Sequence, residues 1–240
     1  MQAVILAAGL GKRLCSITSE RPKALVPVAG RELIVRAMDF LSHPAISERI
    51  VVTGYRSRML EEFVAGRFPG VKTVENPHFR DGSIRSIEAA LPLVKGDLLV
   101  MNVDHIYPAR LMEKLASSRS PVAAACDFDR KLGPDDMKVK LSGEGRLSLI
   151  SKALADFDGG YIGMTRVGRD SLPIYREAVA EARRSEGDAC AVERALGRLA
   201  GSGARVEILD TSGVRWLEVD TPEDLALAEE TLRLNPEFLI

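Results

Sequence analysis

No apolar stretch in the 240-residue chain approaches the ~18 consecutive residues that a membrane span needs. The N-terminal run from Ala3 to Ala8 is too short for the core of a signal peptide and lacks a basic flank before it. Cysteine is scarce. Cys15, Cys126 and Cys190 share no metal-ligand or CxxC spacing, so a disulfide framework and a structural zinc site are both excluded. No charge of one sign dominates, with 33 basic against 34 acidic residues, which argues against a general binder of nucleic acid or acidic membrane. Low-complexity linkers and internal repeats are also missing. These absences lead to the expectation of a cytoplasmic, soluble protein that meets small molecules, without nucleic-acid partners, and whose basic site is local. They leave open whether it pairs as a homodimer.

The length suffices to bury roughly 70–75% of the unfolded surface without staples. Strand-like runs alternate with helical patterns: "AVILAA" (3–8), "RIVVTG" (49–54), "KTVEN" and "DLLVMNVD" (97–104), separated by "ELIVRAMDFL", "SRMLEEFVAGRF" and "SIRSIEAALPLV". Such βαβ repetition predicts a mostly parallel, Rossmann-like α/β sheet with helices on both faces. After residue 127 the short alternating segments "KVKLS", "RLSLIS" and "GGYIGMT" predict a small antiparallel portion. Helices are expected at about 169–184 and 188–200, then strands "RVEIL" and "VRWLEVD", then a helix from Thr221 with Pro and acidic residues in its first turn. The whole of 1–240 is expected to form one domain with a continuous sheet.

The stretch after the first strand, "LAAGLGKRLCSITSERPKALVPVAG", places glycines and cations where a backbone approaches an anion. A P-loop is excluded because Arg13 follows Gly11-Lys12 and position 6 is Leu. A dinucleotide fingerprint is excluded because position 14 is Leu. What remains is Gly9-Leu10-Gly11-Lys12-Arg13, with Lys23 ten residues later after Pro22.

Here the chain resembles the sugar-nucleotide pyrophosphorylases or nucleotidyltransferases, whose signature is a first strand, L-A-A-G-x-G-[T/S]-R, a short gap and P-K-x-L. Lys12 departs from the usual Thr or Ser. The terminal "WLEVDTPEDLALAE" extends the resemblance to the whole chain. It implies nucleoside monophosphate transfer from an NTP to a phosphorylated acceptor, with release of pyrophosphate. It further implies that Leu6, Ala7, Ala8, Gly9, Gly11 and Lys12 line the nucleotide, while Arg13 and Lys23 serve as the catalytic cations on the triphosphate.

Asp104 ends a strand predicted to be buried, and Asp220 follows "WLEV"; in an open parallel sheet both ends open on the ligand crevice. The resemblance makes them the ligands of Mg²⁺, which takes one or two carboxylates besides phosphates and water; the bland alternative for Asp220 is a helix cap. An acceptor phosphate is already anionic near neutral pH, so no general base is needed, in keeping with only three histidines.

The hexose-type base-reading glycines are missing from "NPHFRDGSIRSIEAAL". The segment resembles the cytidylyltransferase branch, with Gly82, Ser83 and Ser86 at the base. "VMNVDHIYP" and "KVKLSGEGRLSLISKALADFDGGYIGM" resemble inositol-1-phosphate cytidylyltransferases, which places His105, Tyr107, Lys138, Lys152, Asp158 and Glu218 at the acceptor. The alternatives are phosphocholine or aminoalkyl-phosphonate cytidylyltransferases, hexose-1-phosphate guanylyl- or uridylyltransferases, and, outside catalysis, a regulatory nucleotide-sugar-binding paralogue. Only 5% of the chain is aromatic, which favours a polyol over a quaternary ammonium that needs an aromatic cage.

Overall fold

A computed structural model describes residues 1–239. In chain order it runs β1 (Gln2–Leu6), the short pair β2 (Pro27–Val28) and β3 (Arg31–Glu32), α1 (Leu33–Phe40), β4 (Glu48–Thr53), α2 (Ser57–Arg67), β5 (Lys72–Glu75) and α3 (Ile84–Ala90). Then follow β6 (Leu98–Asn102), β7 (His105–Ile106), α4 (Ala109–Ser117), β8 (Val122–Asp127), β9 (Lys138–Leu141), β10 (Leu147–Ser151) and β11 (Gly159–Val167). The chain closes with α5 (Leu172–Glu186), α6 (Arg194–Gly201), β12 (Val206–Asp210), β13 (Leu217–Glu218) and α7 (Pro222–Leu234).

β1 is buried along its whole length, as its unbroken apolar run requires of a strand covered on both faces. It pairs in parallel with β4 on one side and β6 on the other, and β5 continues the parallel set beyond β4. Alternation splits its side chains between two cores. Ala3 and Ile5 pack with residues of α1, α2, α4 and α7; Val4 and Leu6 pack with residues of α3, α5 and α6. Burying each large aliphatic side chain contributes about 1.5–3 kcal/mol.

The nine-stranded sheet branches at β11. The first residues of β11 pair with β9 and its last four with β6, both antiparallel, while β8 lies along its other edge and carries β12 in parallel. The antiparallel portion is therefore the β9–β10 hairpin and β11, as the alternating segments predict.

Two expectations need correction. "VRWLEVD" yields only the two-residue β13, which pairs with β7 in a separate ribbon and not with the main sheet. Residues 188–193 are not helical. Their backbone is spent elsewhere, the carbonyls of Asp188 and Cys190 accepting from the Gly82 and Ile84 N–H groups at 2.8 and 3.3 Å. No helix among the described residues is long and apolar enough to cross a membrane.

Candidate active site

The site is assembled where the parallel strands end. After Leu6, Ala7 still donates to the Val52 carbonyl at 3.0 Å, and then the chain leaves the sheet. The N–H groups of Gly9, Leu10 and Gly11 find no acceptor among the described residues. Gly11 turns the chain at φ 64°, a left-handed conformation that costs glycine little. The Thr18 hydroxyl fixes the turn by donating to the Gly11 carbonyl at 2.9 Å. Lys12 and Arg13 follow, both exposed. Free N–H groups beside two cations make a cradle for phosphate oxygens. Leu6, Ala7 and Ala8 are buried beneath it.

Lys23 enters from the other side. It is only 6% exposed, yet its ammonium donates to Asp104 at 2.6 Å and also to Asp220. Arg13 closes the cluster, bonding the other oxygen of Asp220 and reaching Asp135 at 3.3 Å. Asp220 is not the cap of α7. Thr221 caps it, accepting from the Asp224 N–H at 3.1 Å, while Asp224 accepts in turn from the Thr221 N–H at 2.9 Å. The aspartate side chain is thereby left for the crevice.

His105 lies on the far side of Asp104, its Nδ1 2.7 Å from the carboxylate. Its ring stacks on Tyr107 and Trp216, with centroids 5.6 and 5.3 Å apart, and Arg130 covers the Trp216 ring at 4.2 Å. Burial alone would push the Asp104 carboxyl up, but the charges and hydrogen bonds of Lys23 and His105 outweigh it and hold the group far below the carboxylate range. The same burial works against His105⁺, and the bond to Asp104 prevails and raises the imidazole. Glu218, opposite His105 in the β13–β7 ribbon, is pushed up by burial.

The donor set fits a hard divalent cation. Two carboxylates, Asp104 and Asp220, converge on one point, where the Lys23 ammonium meets both. No group of three or more His, Cys, Asp or Glu side chains suited to a metal exists among the described residues. Phosphate oxygens and water would therefore complete the shell, as Mg²⁺ prefers.

Other predicted residues are held differently. Ser86 is buried with its hydroxyl accepting from the Asn76 amide at 3.0 Å, and Ser83 accepts from the Val192 N–H at 2.8 Å. Their side chains brace the segment, which leaves backbone as the means of reading a base there. Lys138 is buried and spends its ammonium on the Lys152 carbonyl at 2.8 Å, while Asp158 accepts from the Leu141 N–H at 2.7 Å and pairs with Lys140. Both hold the β9–β10 hairpin, Lys138 buried and Asp158 exposed. Lys152 is exposed and unpaired among the described residues, and Tyr107 donates to the Ile162 carbonyl. Sequence reasoning passed over Trp216 as a stacking partner of His105, and Arg130 altogether.

A model of the MobA-like NTP transferase domain matches residues 3–156. The bifunctional IPC transferase and DIPP synthase of Rubrobacter xylanophilus is 34% identical over 95% of this chain and 51% of its own length. The chain spans about half the length of the curated relatives of that name in R. xylanophilus and Aquifex aeolicus. Among solved structures, the inositol-1-phosphate CTP transferase from T. maritima superposes with a TM-score of 0.83 at 22% identity, covering 99% of this chain and 95% of that one. The CTP:phosphocholine cytidylyltransferase from Streptococcus pneumoniae superposes at 0.77 with 21% identity, covering 96% and 98%.

Proposed function

This chain belongs to the MobA-like NTP transferase domain family, and from that premise we propose that it transfers CMP from CTP to a phosphorylated polyol, inositol 1-phosphate being the foremost case. The products are a CDP-alcohol and pyrophosphate. The observation that carries the reading is the bracketing of the buried Lys23 ammonium by Asp104 and Asp220 beside the donor-rich Gly9–Gly11 loop.

The acceptor phosphate oxygen attacks the α-phosphorus, a new P–O–P linkage forms, and the bond to the β-phosphate breaks with its electron pair leaving on pyrophosphate. The Gly9–Gly11 N–H groups hold the departing phosphates. Arg13 and Lys23 place positive charge where negative charge moves, and their fixed positions avoid reorganisation during the step. Asp104 and Asp220 would hold Mg²⁺, which neutralises phosphate charge when bound. The His105–Asp104 bond fixes the orientation of the carboxylate.

Two structural neighbours with CTP in their names support the choice of nucleotide. For the acceptor, the aromatic rings favour a polyol. Trp216 already stacks on His105 and lies under Arg130, and the Tyr107 and Tyr161 hydroxyls bond within the fold. A quaternary ammonium would find little free aromatic face. Competitive turnover with the four NTPs, and then kcat/KM for inositol 1-phosphate against phosphocholine with CTP, tests this. CTP and inositol 1-phosphate should prevail; a phosphocholine value tenfold higher than the inositol 1-phosphate value would refute the acceptor.

A further inference from the structure

The two carboxylates of the site flank the β7–β13 ribbon, which is separate from the main sheet. Asp104 precedes β7 and Asp220 lies just beyond β13, and between them the Val219 N–H donates to the Asp104 carbonyl at 2.9 Å. Two strands of two residues each hold little shape by themselves. Packing fixes one face, where Ile106 is buried in the core and Leu217 lies against it. The spacing of the carboxylates therefore depends on what fixes the other face, which carries His105 and, opposite it, Glu218.

Trp216, two residues before Glu218, lays its ring on the His105 imidazole with 13° between the planes. Its Nε1–H donates to Asp127 Oδ2 at 2.9 Å. Asp127 ends β8, is only 7% exposed and pairs with Gly160 of β11, so this bond ties the ribbon to the nine-stranded sheet. The other oxygen, Oδ1, accepts from the Asp129 and Arg130 N–H groups at 2.8 and 3.3 Å, which holds in place the residue whose guanidinium covers the indole. One buried carboxylate thus fixes both the indole and its cover.

The imidazole has no slack on its other side. Tyr107 stacks on it, and a Cβ at Gly163 would come within 3.2 Å of its Nε2. The indole does have room, because a cavity of about 480 Å³ lined by Asp127, Asp129, Arg130, Trp216 and Leu217, among others, opens beside it. Without the bond to Asp127 the ring is free to swing off His105. His105 bonds Asp104 at 2.7 Å, so that loosening passes to a carboxylate of the site.

We propose that Asp127 is a positioning residue of the transfer reaction: through the Trp216 indole it steadies His105, and so keeps the Asp104 carboxylate at the spacing from Asp220 that a divalent cation needs. This rests on the two-carboxylate reading of the site given above.

The test compares Asp127→Ala, Asp127→Asn, Trp216→Phe and the Asp127→Ala/Trp216→Phe double variant with the unaltered chain. Asn keeps a carbonyl oxygen for the indole, and Phe keeps a ring for His105 but has no N–H. With CTP and inositol 1-phosphate, Asp127→Ala and Trp216→Phe should each lower kcat about 10-fold or more and raise the half-saturating Mg²⁺ concentration by a similar factor. KM for CTP at saturating Mg²⁺ should change by less than about twofold, because the phosphate loop is untouched. The double variant should lose no more than the worse single one, since both break the same bond. Asp127→Asn should recover most of the loss.

Two readouts need no turnover. Trp216 is the only tryptophan, so its emission should shift to the red in Asp127→Ala and stay near that of the parent in Asp127→Asn. The extra rise in melting temperature that CTP gives in Mg²⁺ over EDTA should shrink in Asp127→Ala and Trp216→Phe alike.

Trp216→Phe with parental kcat and parental Mg²⁺ dependence overturns the proposal, even where Asp127→Ala does not fold. Losses that add in the double variant, or a loss confined to melting temperature, also overturn it and leave Asp127 a brace for the end of β8. The transferase reading survives all of these results. An unaltered chain that releases no pyrophosphate from any NTP with a phosphorylated alcohol overturns that reading, and this assignment with it.

Discussion

Lys23 shows how much one side chain can carry. It is buried, and burial opposes its charge, yet Asp104 and Asp220 keep it charged and raise its pKa. Replacing it with Met removes the only buried cation between two carboxylates. Breaking such a pair costs about 3–5 kcal/mol, so Lys23→Met should melt well below the parent in EDTA and regain much of the difference in Mg²⁺. Its kcat should fall steeply, because a cation at the transferring phosphoryl group acts most in the transition state. Melting curves with and without metal, beside turnover, check both halves; an equal deficit in Mg²⁺ would show that the two carboxylates do not share a cation. Asp104→Asn and Asp220→Asn should each lower kcat by about 10³ or more with the fold retained, since each loses a ligand oxygen as well as a partner of Lys23. A folded Asp220→Asn with normal turnover would confine Asp220 to its ion pairs with Arg13 and Lys23.

At the scale of elements, hydrogen bonds join the start of α3, where the base is proposed to bind, to the 187–193 segment. Gly82→Ala forces apart two backbones in contact. Such overpacking typically costs about 1–3 kcal/mol, so Gly82→Ala should melt below the parent. A Gly82→Ala variant with unchanged melting would contradict the contact. A second junction predicts a pH effect. Glu186 binds Arg194 and Arg198, and these bonds, Arg194 first, hold its carboxyl below the usual 4.5. A depressed folded pKa means stability that is present above the unfolded value and is lost as pH falls through the folded one. The melting difference between the parent and Glu186→Gln should therefore be steady above about pH 5.5 and close in more acidic buffer. A gap that persists far below 4.5 would assign it to packing.

For the whole molecule, ligand linkage is the direct readout. Binding to the folded state alone adds about 2.7 kcal/mol at one hundred times the dissociation constant, which raises the melting temperature by about 5–11 °C for a domain of this size. CTP with Mg²⁺ should produce that shift, GTP less, and EDTA should diminish the CTP effect; equal shifts for all four nucleotides would remove the preference for CTP. The parallel half of the molecule was legible in the sequence because β1, β4 and β6 carry continuous apolar runs and the segments between the strands carry clear helical patterns. The β13 ribbon and the 188–193 segment were not, because tertiary hydrogen bonds to Asp104 and to the 82–84 segment override the local pattern there.

Sequence by itself determined the family, the phosphate loop and the charge set of Arg13, Lys23, Asp104 and Asp220. These lie in short motifs whose spacing is dictated by a strand end and a tight turn, so local chain geometry already limits what they do. Tertiary structure decided which side chains remain free. Lys138, Ser83 and Ser86 look like ligand residues in a string of letters, but neighbours distant in sequence take up their polar atoms. Whether a polar group meets a ligand or the protein depends on partners brought together by long-range pairing, and no local spacing encodes that.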